Sequence, residues 1–164
     1  MRSRAAGRTE RGFTIAELIT VIAIVAILSA VAMPVAKFGF RRQKEVALHD
    51  RLRKITDAID RYHDYHTFPP GSPKRAKDME ALGADGYPKE LADLTKPLEL
   101  TDGTKVRFLR DRDLIDPMTN SNEWDTLSTT DDPETSSSNK DNIYEVHSKS
   151  HALSLDGKTH YNEW

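Results

Sequence analysis

The sequence predicts an α+β fold in which one long N-terminal helix packs on a small antiparallel β-sheet head. Three features predict it: an uncharged apolar run near the N-terminus, an apolar stripe at helical spacing after it, and short alternating segments between turn residues further on. The first half of the helix is predicted to be transmembrane. The second half is predicted to be amphipathic, with one face covered by the head.

The uncharged apolar run occupies residues 18–36, where Thr20 and Ser29 carry the only hydroxyl groups. A helix of this length, at about 1.5 Å rise per residue, covers nearly the ~30 Å of a bilayer core. Four arginines precede the run, at positions 2, 4, 8 and 11. Basic residues before a first apolar segment keep that end of the chain in the cytoplasm. The chain after the run is therefore predicted to be exported.

Glu17 is the one charged residue between Gly12 and Ala36. A carboxylate at the centre of a membrane helix costs about 2.5–3.5 kcal/mol, and less near the interface. One interpretation is an interfacial residue that reaches toward the headgroups. The other requires a positive partner, which appears if the Gly12–Phe13 peptide bond is cut. The new α-amino group would lie four residues from Glu17 in sequence, at the same depth in a neighbouring copy.

The segment Gly12-Phe13-Thr14-Ile15-Ala16-Glu17-Leu18, followed by a charge-free run and Pro34, resembles the class III signal of type IV pilins and pseudopilins. The resemblance implies that a membrane aspartyl protease, the prepilin peptidase, cuts after Gly12 and methylates Phe13. It also implies that Glu17 pairs with the amine of an adjacent subunit in a homo-polymer. In such filaments a proline at the place of Pro34 is associated with a bent or locally melted helix.

A second targeting signal competes with the first one. Ala30-Val31-Ala32 is a small-x-small triplet after an apolar region, which an ordinary signal peptidase would cleave before Met33. That cut would release a protein without a membrane helix and leave Glu17 without a purpose. The two mature chains would differ by residues 13–32, so an intact mass separates them.

Composition limits the remaining function classes. The chain of 164 residues has no cysteine, which excludes disulfides and thiolate metal sites. Without residues 1–12, 20 basic and 25 acidic residues remain, a net charge of −5 that gives no electrostatic footprint for nucleic acid. His63 and His66 share helical spacing with Asp60, but no third metal ligand follows at a diagnostic distance. No catalytic motif is present, so the chain is not predicted to be an enzyme.

Three domains are predicted: a basic leader at residues 1–12 that is cleaved, a transmembrane and assembly helix at 13–40, and a head at 41–164. In the head, the apolar stripe predicts the buried face of the helix. Phe68-Pro69-Pro70-Gly71 predicts the end of the helix. The stripe consists of Leu48, Leu52, Ile55, Ile59 and Tyr62.

Beyond the helix, residues 71–87 are predicted to be a connection with a helical turn near 78–82. Pro88 begins a predicted short helix that Pro97 ends. Residues 131–141 have no apolar side chain and predict an exposed loop, and Asp156-Gly157 predicts a turn. Four strands are predicted, at residues 106–109, 124–128, 142–147 and 152–155.

Two later groups of residues resemble the major pseudopilins of type II secretion systems, the general secretion pathway protein G-like family. They are Phe108-Leu109-Arg110 with Asp116-Pro117-Met118-Thr119 and Trp124, and the tail at residues 146–164. The resemblance implies a single-pass protein of the bacterial inner membrane with a periplasmic head. It implies a periplasmic filament that drives protein export, with other pseudopilins and the inner-membrane secretion platform as partners.

The same family resemblance implies a calcium ion near the C-terminus. Calcium takes six to eight oxygen ligands, with several acids close together. Asp156 is the only acid within residues 146–162. Asp116 is the other candidate calcium ligand. Tyr161 and Trp164 are predicted to pack in or on the head.

Two other functions remain open from the sequence. The chain is alternatively a type IV pilin used for adhesion, motility or DNA uptake, since the N-terminal signal alone does not separate pilins from pseudopilins. It is also compatible with a membrane-anchored binding domain that never polymerises. Substitution of Glu17 separates this last alternative from the two filament proteins.

Overall fold

The computed structural model describes residues 12–78, 84–132 and 138–164. They belong to two compact units that divide between Phe40 and Arg41. Most of the predicted leader, most of the predicted turn near 78–82 and the middle of the predicted loop at 131–141 lie outside the described residues.

Helix α1, Ile15–Thr67, runs through the first unit and begins the second. Within the described residues it is the one helix long and apolar enough to cross a membrane, by length and composition. Up to Phe40 its large apolar side chains are all exposed, as expected of a surface that needs lipid or other chains to cover it. Ile15 is the most exposed of them, at 80%, and Phe13, two residues before the helix, is 84% exposed.

Pro34 lies inside α1, and the helix continues through it. The resemblance implied a bent or locally melted helix here, because proline lacks the N–H that would donate to the carbonyl of Ala30 and its ring crowds the preceding turn. Only one backbone hydrogen bond is lost in this way, and every other residue of the turn keeps its donor. A long apolar helix therefore accommodates a single proline, as membrane helices commonly do.

The second half of α1 buries the predicted stripe. Leu48, Ile55 and Ile59 are fully buried, Tyr62 is 2% exposed, and Leu52 is partly buried against the same core. The helix ends at Thr67, two residues before the first of the two prolines, as predicted. The opposite side of the core comes from the rest of the head, including Leu94, Leu109, Leu114, Trp124, Ile143, Val146 and Tyr161.

The head contains two separate antiparallel ladders where the sequence predicted one small sheet. Strand β1, Leu98–Glu99, pairs with β2, Lys105–Val106. Strand β3, Trp124–Leu127, pairs with β4, Glu145–Ser148, so that Trp124 lies opposite Ser148. The fold is thus α+β, with one long helix and small antiparallel sheets. Short 3-10 helices cover Ala84–Gly86, Leu91–Thr95, Asp111–Leu114 and Tyr161–Glu163.

Three predicted elements differ from the structure. Residues 152–155 form no strand, and the single bridge Leu153–His160 replaces it because the turn at Gly157 reverses the chain at once. Strand β2 ends at Val106, since Leu109 leaves the ladder to donate its N–H to the carbonyl of Leu94, 3.0 Å away. The predicted helix after Pro88 is a single 3-10 turn at Leu91–Thr95.

Candidate assembly site

The start of α1 is capped by the side chain of Thr14. Its hydroxyl oxygen accepts the N–H of Glu17 at 3.2 Å, and its carbonyl accepts the N–H of Leu18 at 3.1 Å. This is the arrangement of an N-cap residue, which satisfies a backbone donor that the helix itself leaves free. Thr14-Ile15-Ala16-Glu17 has the T-x-x-E spacing of a capping box, a signal that the sequence interpretation missed.

The Glu17 carboxylate is exposed and has no hydrogen bond or ion pair with the described residues. In a complete capping box this carboxylate would accept the N–H of Thr14, and that bond is absent among the described contacts. Thr20, one turn later, behaves differently, because its hydroxyl donates to the carbonyl of Ala16 at 2.8 Å. The role of Glu17 in assembly remains a prediction.

Gly12 and Phe13 flank the predicted cleavage point. A Cβ built on Gly12 meets no heavy atom of the described residues within 4 Å, and its φ is not in the left-handed region. Glycine here is thus required neither by packing nor by backbone conformation. The side chain of Phe13 is 84% exposed. Both residues are accessible to an enzyme, and the cut itself remains a prediction.

Two features of the anchor bear on contacts between helices. Pro34 is exposed and leaves the carbonyl of Ala30 without its helical donor. Small residues at helical spacing, Ala23, Ala26 and Ala30, are exposed as well. In lipid, helices associate through close packing and polar contacts, which small side chains permit. The role of Pro34 in assembly remains a prediction.

Asp156, a predicted calcium ligand, lies in a turn that satisfies its carboxylate internally. The Ser154 hydroxyl donates to Oδ1, as do the N–H groups of Lys158 at 2.8 Å and Thr159 at 3.3 Å. These bonds, the one from Ser154 first, lower the pKa of Asp156 to about 2. The carboxylate therefore stabilises the turn by accepting hydrogen bonds and is not arranged as part of an open cation site.

Asp116, the other candidate, is completely buried. Its Oδ1 accepts the N–H of Met118 at 2.7 Å, and its Oδ2 accepts the hydroxyls of Ser148 at 2.7 Å and Thr119 at 3.1 Å. Ser148 belongs to β4, so Asp116 links the loop after Leu114 to the larger ladder. Its oxygens are occupied by protein donors, which is a structural role.

These surroundings do not fit calcium. The ion takes six to eight oxygens, whereas both carboxylates here accept hydrogen bonds from the protein. Within residues 12–78, 84–132 and 138–164, no group of three or more His, Cys, Asp or Glu side chains is placed to hold a metal. His63 stacks on Tyr87 at 4.3 Å between ring centroids, and His66 donates from Nδ1 to the carbonyl of Tyr62 at 2.8 Å. Strand β4 ends at Ser148, so His147 and His151 share no strand face.

Comparison with known families bears on the N-terminal segment. Residues 7–33 match the family model described as the prokaryotic N-terminal methylation motif. No curated protein and no solved structure matches the chain. The matched segment contains Gly12, Phe13, Thr14 and Glu17, and it covers most of the exposed apolar part of α1, from Ile15 to Met33. The motif supports a structural subunit of the general type IV pilin-like or pseudopilin class, processed by prepilin peptidase and anchored through one apolar helix.

Proposed function

We propose that this chain is the major structural subunit of a type II secretion pseudopilus. A prepilin peptidase cuts after Gly12 and methylates Phe13, and the mature chain polymerises through residues 13–40. The observation that carries the proposal is the carboxylate of Glu17, which lies within the matched methylation motif and has no partner among the described residues. A carboxylate at the start of an apolar helix is stabilised when a neighbouring subunit supplies an opposite charge.

The amine of Phe13, created by the cut, is the partner in this proposal. A lone chain keeps Glu17 in or near lipid at a cost of up to about 2.5–3.5 kcal/mol, and pairing in the polymer reduces that cost. The pair also sets the register between helices. Apolar side chains along α1 resemble one another, so packing alone discriminates weakly between registers, whereas a shifted helix would leave both charges unpaired.

The proposed mechanism is mechanical. Subunits enter from the inner membrane at the base of the filament, and each addition extends the filament through the periplasm. Exported cargo is pushed in this way toward a channel in the outer membrane. The heads form the filament surface, and the secretion platform and other pseudopilins are the expected partners. The residues of the head that resemble major pseudopilins favour secretion over a pilus.

Replacement of Glu17 by Gln tests polymerisation. The full chain is expressed in a host with a type II secretion system and prepilin peptidase, and sheared or cross-linked filaments are quantified. We expect Glu17→Gln to abolish filaments while membrane insertion is unchanged. Asp57→Asn is the matched control, because Asp57 is an exposed acid further along α1. Equal filament yield from Glu17→Gln and wild type would overturn the proposal.

Two further measurements test processing and pathway. The intact mass of the membrane-bound chain should lack residues 1–12 and carry one added methyl group, and a chain beginning at Met33 would contradict this. Deletion of the gene should make exported enzymes accumulate in the periplasm. Loss of surface fibres with normal secretion would instead assign the chain to a type IV pilus.

A further inference from the structure

The start of the second unit has a local excess of positive charge. Arg41, Arg42 and Lys44 are exposed on α1, and Lys158 is exposed on the C-terminal loop. Arg42, Lys44 and Lys158 form no ion pair with the described residues. The chain as a whole is acidic, with 26 acidic and 24 basic residues, so this excess runs against the overall balance.

Arg41 and Glu45 hold the C-terminal loop against this part of α1. The Arg41 guanidinium donates to the hydroxyl oxygen of Tyr161 at 3.2 Å and to the carbonyl of Leu153. The Glu45 carboxylate accepts the Tyr161 hydroxyl at 2.8 Å and the N–H of Leu155 at 2.7 Å. Burial raises the pKa of Tyr161 above its ordinary value.

The two acids in this region are already occupied. Glu45 accepts two hydrogen bonds from the loop, and Asp156 accepts those of its own turn. By formal charge, these two acids offset two of the four basic residues Arg41, Arg42, Lys44 and Lys158, and a net charge of +2 remains. Leu153 adds an apolar side chain that is 41% exposed. Basic side chains around an exposed apolar one are the composition of a surface that lies on a membrane interface.

The position in the chain indicates what this surface meets. Arg41 directly follows Phe40, the last exposed residue of the apolar first unit. The uncharged run ends at Ala36, and the five helical residues from there to Arg41 rise about 7.5 Å. A headgroup layer adds about 5–7 Å on each side of the hydrocarbon core, so Arg41 and Arg42 lie at the outer edge of this layer when the run spans the bilayer.

We propose that the basal surface, consisting of Arg41, Arg42, Lys44, Leu153 and Lys158, binds the phosphate headgroups of anionic phospholipids. This inference rests on the proposed function, because it requires the apolar helix to be in a membrane. Arg41 serves two roles, since it fastens the loop and contributes charge. Such binding holds an unassembled subunit head at the membrane surface until the subunit enters the filament.

The test measures lipid selectivity of the full chain, one copy per lipid nanodisc. The chain contains no cysteine, so His151→Cys on the exposed part of the loop gives a unique site for a fluorophore. Quenching is compared between nitroxide-labelled phosphatidylglycerol and phosphatidylcholine in otherwise identical discs. Each basic residue near an anionic surface strengthens attraction by about fivefold, so we expect phosphatidylglycerol to be favoured by at least that factor.

The charge-removing set is R42Q/K44Q/K158Q, which spares the loop-fastening Arg41. It should lower the selectivity ratio to about 1, and added salt should weaken the wild-type ratio. The matched control K74Q/K105Q/R107Q removes three exposed charges elsewhere on the head. Ala76, two residues after Lys74, donates its N–H to the carbonyl of Tyr65, which is about 30 Å along α1 from Lys44. The control should keep the wild-type ratio.

Three outcomes would overturn the inference. If the selectivity ratio is unchanged in R42Q/K44Q/K158Q, the basal surface does not bind the anionic lipid. The same conclusion follows if the control variant loses selectivity to the same extent. If selectivity appears only in discs that hold two copies of the chain, the basal surface contacts a neighbouring subunit and not lipid. Protease protection of the apolar helix in the same discs reports insertion separately. A chain that fails to insert contradicts the proposed function, whereas an inserted chain without selectivity contradicts only this inference.

Discussion

The two halves of α1 treat their apolar side chains in opposite ways. In the first half Ile24 and Ile27 are 54% and 67% exposed, whereas Ile55 and Ile59 in the second half are fully buried. The same residue type thus faces the outside in one half and the core in the other. One continuous helix carries both patterns, because charged residues return to the sequence from Lys37 onward.

The two halves therefore contribute to different free energies, one of unfolding and one of insertion and assembly. Burial of the second half stabilises the head, since removal of apolar area from water contributes about 25 cal/mol per Å². The first half contributes to stability only when lipid or other subunits cover it. Substitutions in the first half should therefore change insertion and assembly, and those in the second half should change unfolding of the head.

The largest expected effect comes from matched Ile→Ala substitutions in the two halves. Ile59→Ala should lower the free energy of unfolding of the head by about 2–5 kcal/mol, because it leaves a cavity in the core. Ile24→Ala should change it by less than about 0.5 kcal/mol. Trp124 and Trp164, the only two tryptophans, both lie in the head, so urea unfolding followed by tryptophan fluorescence reports the head alone. Equal losses from both substitutions would break the comparison.

A second prediction concerns the buried acid of the head. Asp116→Ala should lower the free energy of unfolding by about 1–3 kcal/mol, because the Met118 N–H and the Ser148 hydroxyl lose their acceptor. Asp125→Ala, an exposed acid on β3, is the control and should stay near wild type. The same urea titration measures both. Calcium should not shift the wild-type midpoint, and a shift that Asp116→Ala abolishes would show that the carboxylate binds the ion.

A smaller effect is expected where the C-terminal loop meets α1. Tyr161→Phe keeps the buried ring and removes the hydroxyl between Arg41 and Glu45. We expect a loss of about 0.5–1.5 kcal/mol in the same measurement. Tyr144→Phe, at a side chain that is 48% exposed, should be neutral. Hydrogen exchange at Leu155 should accelerate in Tyr161→Phe, and unchanged exchange would show that the loop is held by other contacts.

Features that the sequence predicted well depend on local patterns. The buried stripe and the end of α1 follow from helical spacing and from Pro69-Pro70, and both are confirmed. The N-cap Thr14 was also available from its T-x-x-E spacing. These signals lie within a few residues of one another, so they do not require knowledge of distant contacts.

Features that the sequence missed depend on distant partners. Strand β1 has two residues and no alternation, and it exists because β2 pairs with it. Asp116, in an Asp-Pro pair, has the local pattern of an exposed turn. Its burial depends on Ser148, which is 32 residues away in sequence. The division of the strands into two ladders likewise depends on which distant segments pair, which alternation alone does not reveal.

The smallest expected effect is a pH dependence at the end of α1. Burial lowers the pKa of His66 from its ordinary 6.5, and the nearby His63 lowers it further. The hydrogen bond to the Tyr62 carbonyl and the nearby Asp78 raise the pKa, but burial outweighs them. Below pH 6.5 the unfolded chain takes up a proton at His66 that the folded head takes up only at lower pH. Stability from this residue is therefore complete above pH 6.5 and falls as the pH falls below it. His66→Gln should flatten the decline in unfolding free energy between pH 7 and pH 5.5, and the exposed control His151→Gln should retain it. An unchanged decline in His66→Gln would show that carboxylates, and not this ring, set the acid sensitivity of the head.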